Sequence, residues 1–356
     1  MVGHLNFGGA ERQIVNLLNA LISLRPTLIL TTDHQSNDLL PQLDRSVRVV
    51  HNPCRLARML FDVHRLAQLL KKLRIDVLHS HMFWPNLYAA RAAVAASVPV
   101  FVTTEHGINP WKRPWHRWLE RHVISRRAQR RICVSDHIRR MRIQNDRLPP
   151  SQLVVIPNGT LIPARRRDER PMANPVLLLA VGRLVPAKDY PTLLRAIRHV
   201  RENGHHVLLR IAGEGPLRIE LEQLARSLDL VANVQFLGNR ADIQELLNSS
   251  DIFVMSSHRE GQPLVLLEAM AAEIPIVATT AGGIPNTARN GVEALLVSAG
   301  DQVALAAALE QLITDPAQAR ALAQNARRRV AMDFSIEAIA GAHLDLYAQC
   351  LSEMRS

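Results

Sequence analysis

The chain has 356 residues, 47% hydrophobic and 21% charged, with a formal net charge of +11; at roughly 100–200 residues per domain this predicts two globular domains. No run reaches the ~18–20 apolar residues of a membrane-spanning helix, and Met1-Val2-Gly3-His4 carries no signal-peptide pattern. The three scattered cysteines (Cys54, Cys133, Cys350) build neither a disulfide framework nor a metal knuckle; collagenous, disordered, disulfide-stapled and integral-membrane classes are excluded, and a reducing cytoplasm is expected.

The first element is a loop, Asn6-Phe7-Gly8-Gly9-Ala10-Glu11-Arg12, leading into a helix whose apolar face is Ala10, Ile14, Leu17, Leu18 and Leu21. Strands are predicted at Thr27–Thr31, Val47–His51, Ile75–His79, Val98–Thr103, Arg131–Ser135 and Leu153–Pro157. Pro157-Asn158-Gly159 closes this series, and the polar stretch from Pro163 to Pro175, with Arg165-Arg166-Arg167, reads as a linker. A second series follows at Val176–Gly182, Val207–Ala212, Val234–Leu237, Ile252–Ser256, Ile276–Thr279 and Ala294–Val297. Continuous Val/Ile/Leu strands alternating with helical patterns predict an α/β fold, two doubly wound parallel-sheet domains. Ligands of such sheets bind outside the carboxyl ends of the strands, so facing domains would enclose a cleft there.

Charge divides along the same line. Residues 1–167 hold 26 Lys and Arg against 10 Asp and Glu, while residues 168–356 hold 17 against 22. The basic half suits an anionic membrane surface, an anionic substrate or nucleic acid. Only four of the 43 basic residues are lysine, so an arginine-rich composition accounts for part of the excess.

Several strand-end loops carry residue types suited to a phosphorylated sugar ligand. Gly8-Gly9 before a helix allows close backbone approach to a phosphate, although such a pair is also an ordinary turn. Arg183, in Val181-Gly182-Arg183-Leu184, and Lys188 just beyond it suit a diphosphate; otherwise they are solvated loop cations. Segment 256–270, SSHREGQPLVLLEAM, puts Glu260 in a loop, Pro263 at a helix start and Glu268 among apolar helix residues. A carboxylate in that setting needs a polar partner, and ribose or hexose hydroxyls can supply one. Gly213-Glu214-Gly215-Pro216 and Gly282-Gly283-Ile284-Pro285 follow other strands of the same half.

In the first half, Thr103-Thr104-Glu105-His106-Gly107 and His79-Ser80-His81 follow strands, and a strand-end histidine can bond a sugar hydroxyl. His79, His81 and His106 could also be structural, and no carboxylate completes a metal-ligand spacing, so no metal is expected. Trp111, Trp115 and Trp118 lie at i, i+4 and i+7 among Lys112, Arg113, Arg117, Arg121, Arg126 and Arg127. As a helix this segment either shows an indole face to an anionic membrane surface or packs its indoles inward.

Taken together, GGAER, TEHG, VSD at Ser135-Asp136, PNG, VGRL with a downstream Lys, GEGP and two glutamates eight positions apart resemble the family-4 retaining glycosyltransferases. Their order matches across roughly residues 3–300, and HSHMFWPNLYAAR (His79–Arg91) is most similar to bacterial members that build surface polysaccharides. The resemblance implies a GT-B fold of two facing Rossmann-like domains. The boundaries expected are 1–162, acceptor-side, joined by a C-terminal helix at about 335–356, and 163–334, donor-binding. It also implies a nucleotide-sugar donor, a lipid-linked or oligosaccharide acceptor, no metal or other cofactor, and a peripheral position on the inner face of the cell membrane. Arg183 and Lys188 would hold the diphosphate, assisted by Gly9, Gly215 and the backbone near Leu264. Glu268 would bind the ribose, while Glu260 and His106 would meet the transferred sugar.

Two departures from the family pattern stand out. Only Met1–Leu5 precede the Gly-Gly loop where the family has a longer first strand, and Asn286 stands where a glutamate is common. A nucleotide-sugar epimerase or hydrolase would consume the donor without an acceptor. A nucleic-acid-binding protein would bind DNA with steep salt dependence, but no helix-turn-helix, RRM or zinc-finger pattern supports it.

Overall fold

In the computed structural model the residues described are 1–32, 37–107, 111–164 and 171–355; the Arg165-Arg166-Arg167 part of the expected linker lies outside them. The chain divides into two compact units, Met1–Gly159 with Ile336–Ser356, and Thr160–Ser335.

The second unit is built on β7 to β12 (Val176–Val181, Val207–Ala212, Val234–Gly238, Ile252–Met255, Ile276–Thr279 and Leu295–Val297). The six strands form one parallel sheet in the order β12-β11-β10-β7-β8-β9. Alternate residues of each strand enter different cores. Leu178, Ala180, Ile252 and Val254 pack on one face, while Leu179, Phe253 and Met255 pack on the other. That double burial is why these strands read as unbroken apolar runs, and each fully buried Leu, Ile or Phe contributes about 1.5–3 kcal/mol. The chain runs outward from β7 to β9 and then returns to β10 on β7's other side. The β7/β10 boundary is therefore the topological switch point, where the loops leaving the strands splay apart and leave a crevice.

The first unit has β1 (Thr27–Leu30) paired with β2 (Arg48–His51), and β3 to β6 (Val77–His81, Val100–Glu105, Arg130–Cys133 and Leu153–Val155) in sequential order. β3 lies two residues beyond the expected Ile75–His79, which brings His81 onto the strand itself. The short amino-terminal segment connects the two sheets. Val2 bridges Leu30, the Met1 nitrogen lies 2.6 Å from the His79 carbonyl, and the His81 amide donates to Met1. Met1 and Val2 thus occupy the central strand position, and the helix Gly9–Ala20 follows them directly. The closing helix Ile336–Arg355 packs Ile339, Leu346 and Tyr347 against Leu17, Leu21, Val100 and Val102 of this unit. All three cysteines are free thiols.

Candidate active site

The loops at the β7/β10 switch point bring Lys188 and Glu260 together. Lys188 ends a 3₁₀ turn, Pro186–Lys188, just after β7, and Glu260 lies in the loop between β10 and the helix Leu264–Ala271. Lys188 Nζ donates to Glu260 Oε1 over 2.6 Å, and the Ser257 hydroxyl donates to the same oxygen over 2.7 Å. The two loops are stitched by further bonds. The His258 amide donates to the Ala187 carbonyl, the Ser256 hydroxyl to the Lys188 carbonyl over 2.9 Å, and His258 Nε2 lies 2.9 Å from Asp189 Oδ2. Nothing in the sequence pattern marks His258 and Asp189 as a pair, because they lie some seventy positions apart in the chain, and Ser257, three residues before Glu260, carries no pattern that distinguishes it from an ordinary loop serine.

The glycine motifs surround this pair for steric reasons. Leu184 donates its amide to the Glu214 carbonyl, and a Cβ on Gly215 would stand 2.4 Å from the Leu184 oxygen. Gly282, at φ +56, would place a Cβ 1.9 Å from the Glu260 carbonyl, while the neighbouring Gly283 amide donates to that same carbonyl. Side chains at either position would displace the backbone that carries Arg183 or Glu260. Arg183 itself is exposed on the loop after β7. Leu264 opens its helix, so its N–H belongs to the first turn, whose donors lack intrahelical partners. Glu268 stands one turn on, half-buried and on the same face as Leu264. Asn286 is exposed in the short helix Ile284–Thr287.

The first unit has a buried histidine cluster of its own at the ends of β3 and β4. His79 Nδ1 is 2.7 Å from the Tyr347 hydroxyl and its Nε2 is 2.7 Å from Thr104 Oγ1. His81 Nδ1 is 3.0 Å from His106 Nε2. Burial drives His79 and His81 well below the ordinary histidine range. Burial also pushes His106 down to about 4, against the opposing Glu105 carboxylate. All three rings are neutral at physiological pH. Among the described residues, no group of three or more His, Cys, Asp or Glu side chains is arranged to hold a metal ion. Gly9 begins the helix Gly9–Ala20, behind an extended Gly8.

The tryptophan segment corrects one expectation. Its helix runs only over Pro114–Leu119, with proline in the first turn, and continues as a π-helical turn over Glu120–Ile124. Trp111 therefore precedes the helix and does not share its face. The indoles nevertheless all point outward, with Trp111 48%, Trp115 46% and Trp118 58% exposed. What turns inward is charge. Lys112 and Glu120 pair with each other inside the unit, and Lys112 Nζ also lies 3.7 Å from Glu105. Arg131 Nη2 lies 3.3 Å from Glu105 and 3.5 Å from Glu120, while Arg142 pairs with Glu105, Glu120 and Asp146. Burial opposes the charge on Glu105, yet Arg142, Lys112 and Arg131 together hold its carboxyl below the usual carboxylate range. No helix among the described residues is long and apolar enough to cross a membrane.

Comparison with known proteins agrees with these two units. Residues 7–160 match Glycosyltransferase Family 4 and residues 162–329 match Glycosyl transferases group 1. The chain is 28% identical over 337 residues to the UDP-Gal:alpha-D-GlcNAc-diphosphoundecaprenol alpha-1,3-galactosyltransferase of Escherichia coli, covering 88% of this chain and 87% of the relative. It is 30% identical over 311 residues to the alpha-maltose-1-phosphate synthase of Mycobacterium tuberculosis, covering 76% and 78%. Anabaena HepE in complex with UDP-glucose superimposes with a TM-score of 0.85 over 99% of this chain and 98% of that one, at 23% identity, a likeness of fold. With both halves matched in order and a relative at this identity aligned over most of its length, the chain belongs to the family-4 glycosyltransferases, with the GT-B fold.

Proposed function

We propose that this glycosyltransferase moves a hexose from a nucleoside-diphosphate sugar to a lipid-linked or oligosaccharide acceptor of bacterial surface-polysaccharide synthesis. We assign it retention of anomeric configuration and no metal. The observation that supports the reading is the Lys188–Glu260 pair at the switch point of the second unit, and on it we assign the donor to that unit and the acceptor to the first. The Escherichia coli relative supports the substrate class, since its name specifies a UDP-sugar donor and a diphosphoundecaprenol acceptor.

Each residue then has a physical task. Lys188 and Arg183 neutralise the diphosphate and stabilise the charge that grows as it departs. Gly9, Gly215 and the Leu264 amide contribute backbone near the phosphates. Glu268 accepts from the ribose hydroxyls. Both bonds to Glu260 fall on Oε1, so Oε2 is the oxygen assigned to the transferred sugar, with His106 assigned to another of its hydroxyls. In a front-face reaction the bond from the anomeric carbon to the phosphate oxygen breaks as the acceptor oxygen bonds to the same face. The acceptor's proton passes to the departing phosphate.

The reading is tested by thermal unfolding with UDP, GDP, ADP and their sugars. A ligand at 100 times its Kd adds about 2.7 kcal/mol to the stability of the state it binds. One nucleotide series is expected to raise the melting temperature selectively, and Lys188→Ala to abolish the rise. No shift with any of them would overturn the assignment.

We assign the exposed indoles to an anionic bilayer surface at the inner face of the cell membrane. Trp111, Trp115 and Trp118 share their surface with the exposed Arg113, Arg117 and Arg121, and indoles rimmed by cations match the interface of an anionic membrane. Replacing all three tryptophans by serine should abolish co-sedimentation with phosphatidylglycerol vesicles. The melting temperature should fall, because the half-buried indoles also touch Phe83, Trp84, His116 and His122, but the variant should stay folded with a cooperative transition, because the buried Lys112–Glu120 pair remains. Undiminished co-sedimentation of the folded variant would refute the assignment.

A further inference from the structure

The histidine cluster contains one bond that none of the assigned roles uses. His106 Nε2 faces His81 Nδ1 at 3.0 Å, the ring centroids are 5.3 Å apart with planes inclined by 29°, and His81 is 5% exposed at the end of β3. His106 Nδ1 is buried and has no hydrogen-bond partner among the described residues. A buried ring nitrogen in that condition is costly unless a ligand completes it.

We propose that His81 is a positioning residue, whose bond to His106 Nε2 fixes the ring orientation with which His106 Nδ1 meets a hydroxyl of the sugar substrate and ties the tautomer of His106 to its own. The reasoning is a proton count. Two neutral imidazoles facing each other share one proton. If His81 Nδ1 carries it, His106 is protonated on Nδ1 and offers the ligand a donor; if His106 Nε2 carries it, Nδ1 is an acceptor. Either state leaves His106 Nδ1 a single role, and a hydroxyl, being both donor and acceptor, can answer it. A phosphate oxygen could answer only the first, and an ammonium only the second.

His81 is held in turn by its neighbours. Its ring lies 4.2 Å from that of His79, which is bonded to Tyr347 and Thr104, and its amide is tied to Met1. The ring that aims His106 therefore sits in a frame made by β3, β4 and the closing helix. The identification of the ligand as a sugar rests on the transferase reading above; the His81–His106 bond does not.

The experiment separates the two. Long-range ¹H–¹⁵N spectra of the ¹⁵N-histidine-labelled full chain report the protonation state of each ring nitrogen without any ligand. His106 should show one tautomer in the wild type, matched by His81 protonated at the same ring position. His81→Phe, which keeps an aromatic ring but no nitrogen, should shift His106 toward a mixture. His81→Asn, whose side-chain amide places a polar atom near the Nδ1 position, should recover the single pattern. With UDP-glucose as probe donor, His81→Phe should lose about tenfold or more in turnover with UDP affinity changed less than twofold, and His81→Asn should regain most of the loss. An unchanged His106 pattern in a folded His81→Phe variant, or equal turnover losses in both variants, overturns the proposal. A wild type that binds no nucleotide sugar would instead defeat the transferase reading.

Discussion

Glu260→Gln is expected to lower turnover by about 10²-fold or more while leaving nucleoside-diphosphate affinity equal or tighter. The asymmetry follows from the ion pair. Glu260 accepts from Lys188 Nζ at 2.6 Å, so removing its charge deletes the carboxylate that would stabilise positive charge developing at the sugar. The same change releases Lys188 from a competing anion, and a freed ammonium binds a diphosphate no worse. Lys188→Ala should act in the opposite order, weakening the nucleotide first. Steady-state kinetics with calorimetric titration of the nucleotide selected by thermal shift will read both effects. Parallel losses of turnover and affinity in Glu260→Gln would place Glu260 on the nucleotide and remove it from the sugar.

Glu105→Gln should destabilise the first unit by about 3–5 kcal/mol, the usual cost of leaving buried charge uncompensated. Its carboxylate lies among Lys112, Arg131 and Arg142, and Glu120 and Asp146 complete a cluster of three acids and three bases with side chains no more than 7% exposed. Glutamine keeps the volume and leaves a net positive charge. The pH dependence has a definite sign. Because the folded-state pKa of Glu105 is depressed, its contribution is complete above the unfolded value of about 4.3 and fades as pH falls toward the folded one. The stability gap between wild type and variant should therefore be full at pH 7 and narrow below about pH 4. Urea unfolding followed by tryptophan fluorescence will report it, since all four tryptophans belong to this unit. A gap under about 1 kcal/mol at pH 7 would show that the cluster does not anchor the segment above it.

Much of this architecture is legible in the linear chain. The twelve strands among the described residues lie within two residues of their expected places, because strands covered on both faces are unbroken apolar runs, and such runs have few other uses. The residues proposed for the donor were legible for a related reason. Glycines that must clear a neighbouring carbonyl, as Gly215 and Gly282 do, and a lysine in an arginine-rich chain leave marks that composition does not explain.

Sequence periodicity could not say which way the segment around Trp111–Ile124 faces. It offered an indole stripe and an arginine stripe, and left outward-facing and inward-packed indoles equally open. The fold turns the indoles outward, because Glu105, Arg131 and Arg142 reach the same spot from β4, β5 and the helix Asp136–Asp146 and need Lys112 and Glu120 to complete their pairing. The pairing of Lys188 with Glu260 and of His81 with His106 arises in the same way. A strand pattern is a local property of side-chain hydrophobicity, readable a few residues at a time. Charge and hydrogen-bond partnerships are settled by strand order, which places distant loops side by side and leaves no periodic trace in the chain.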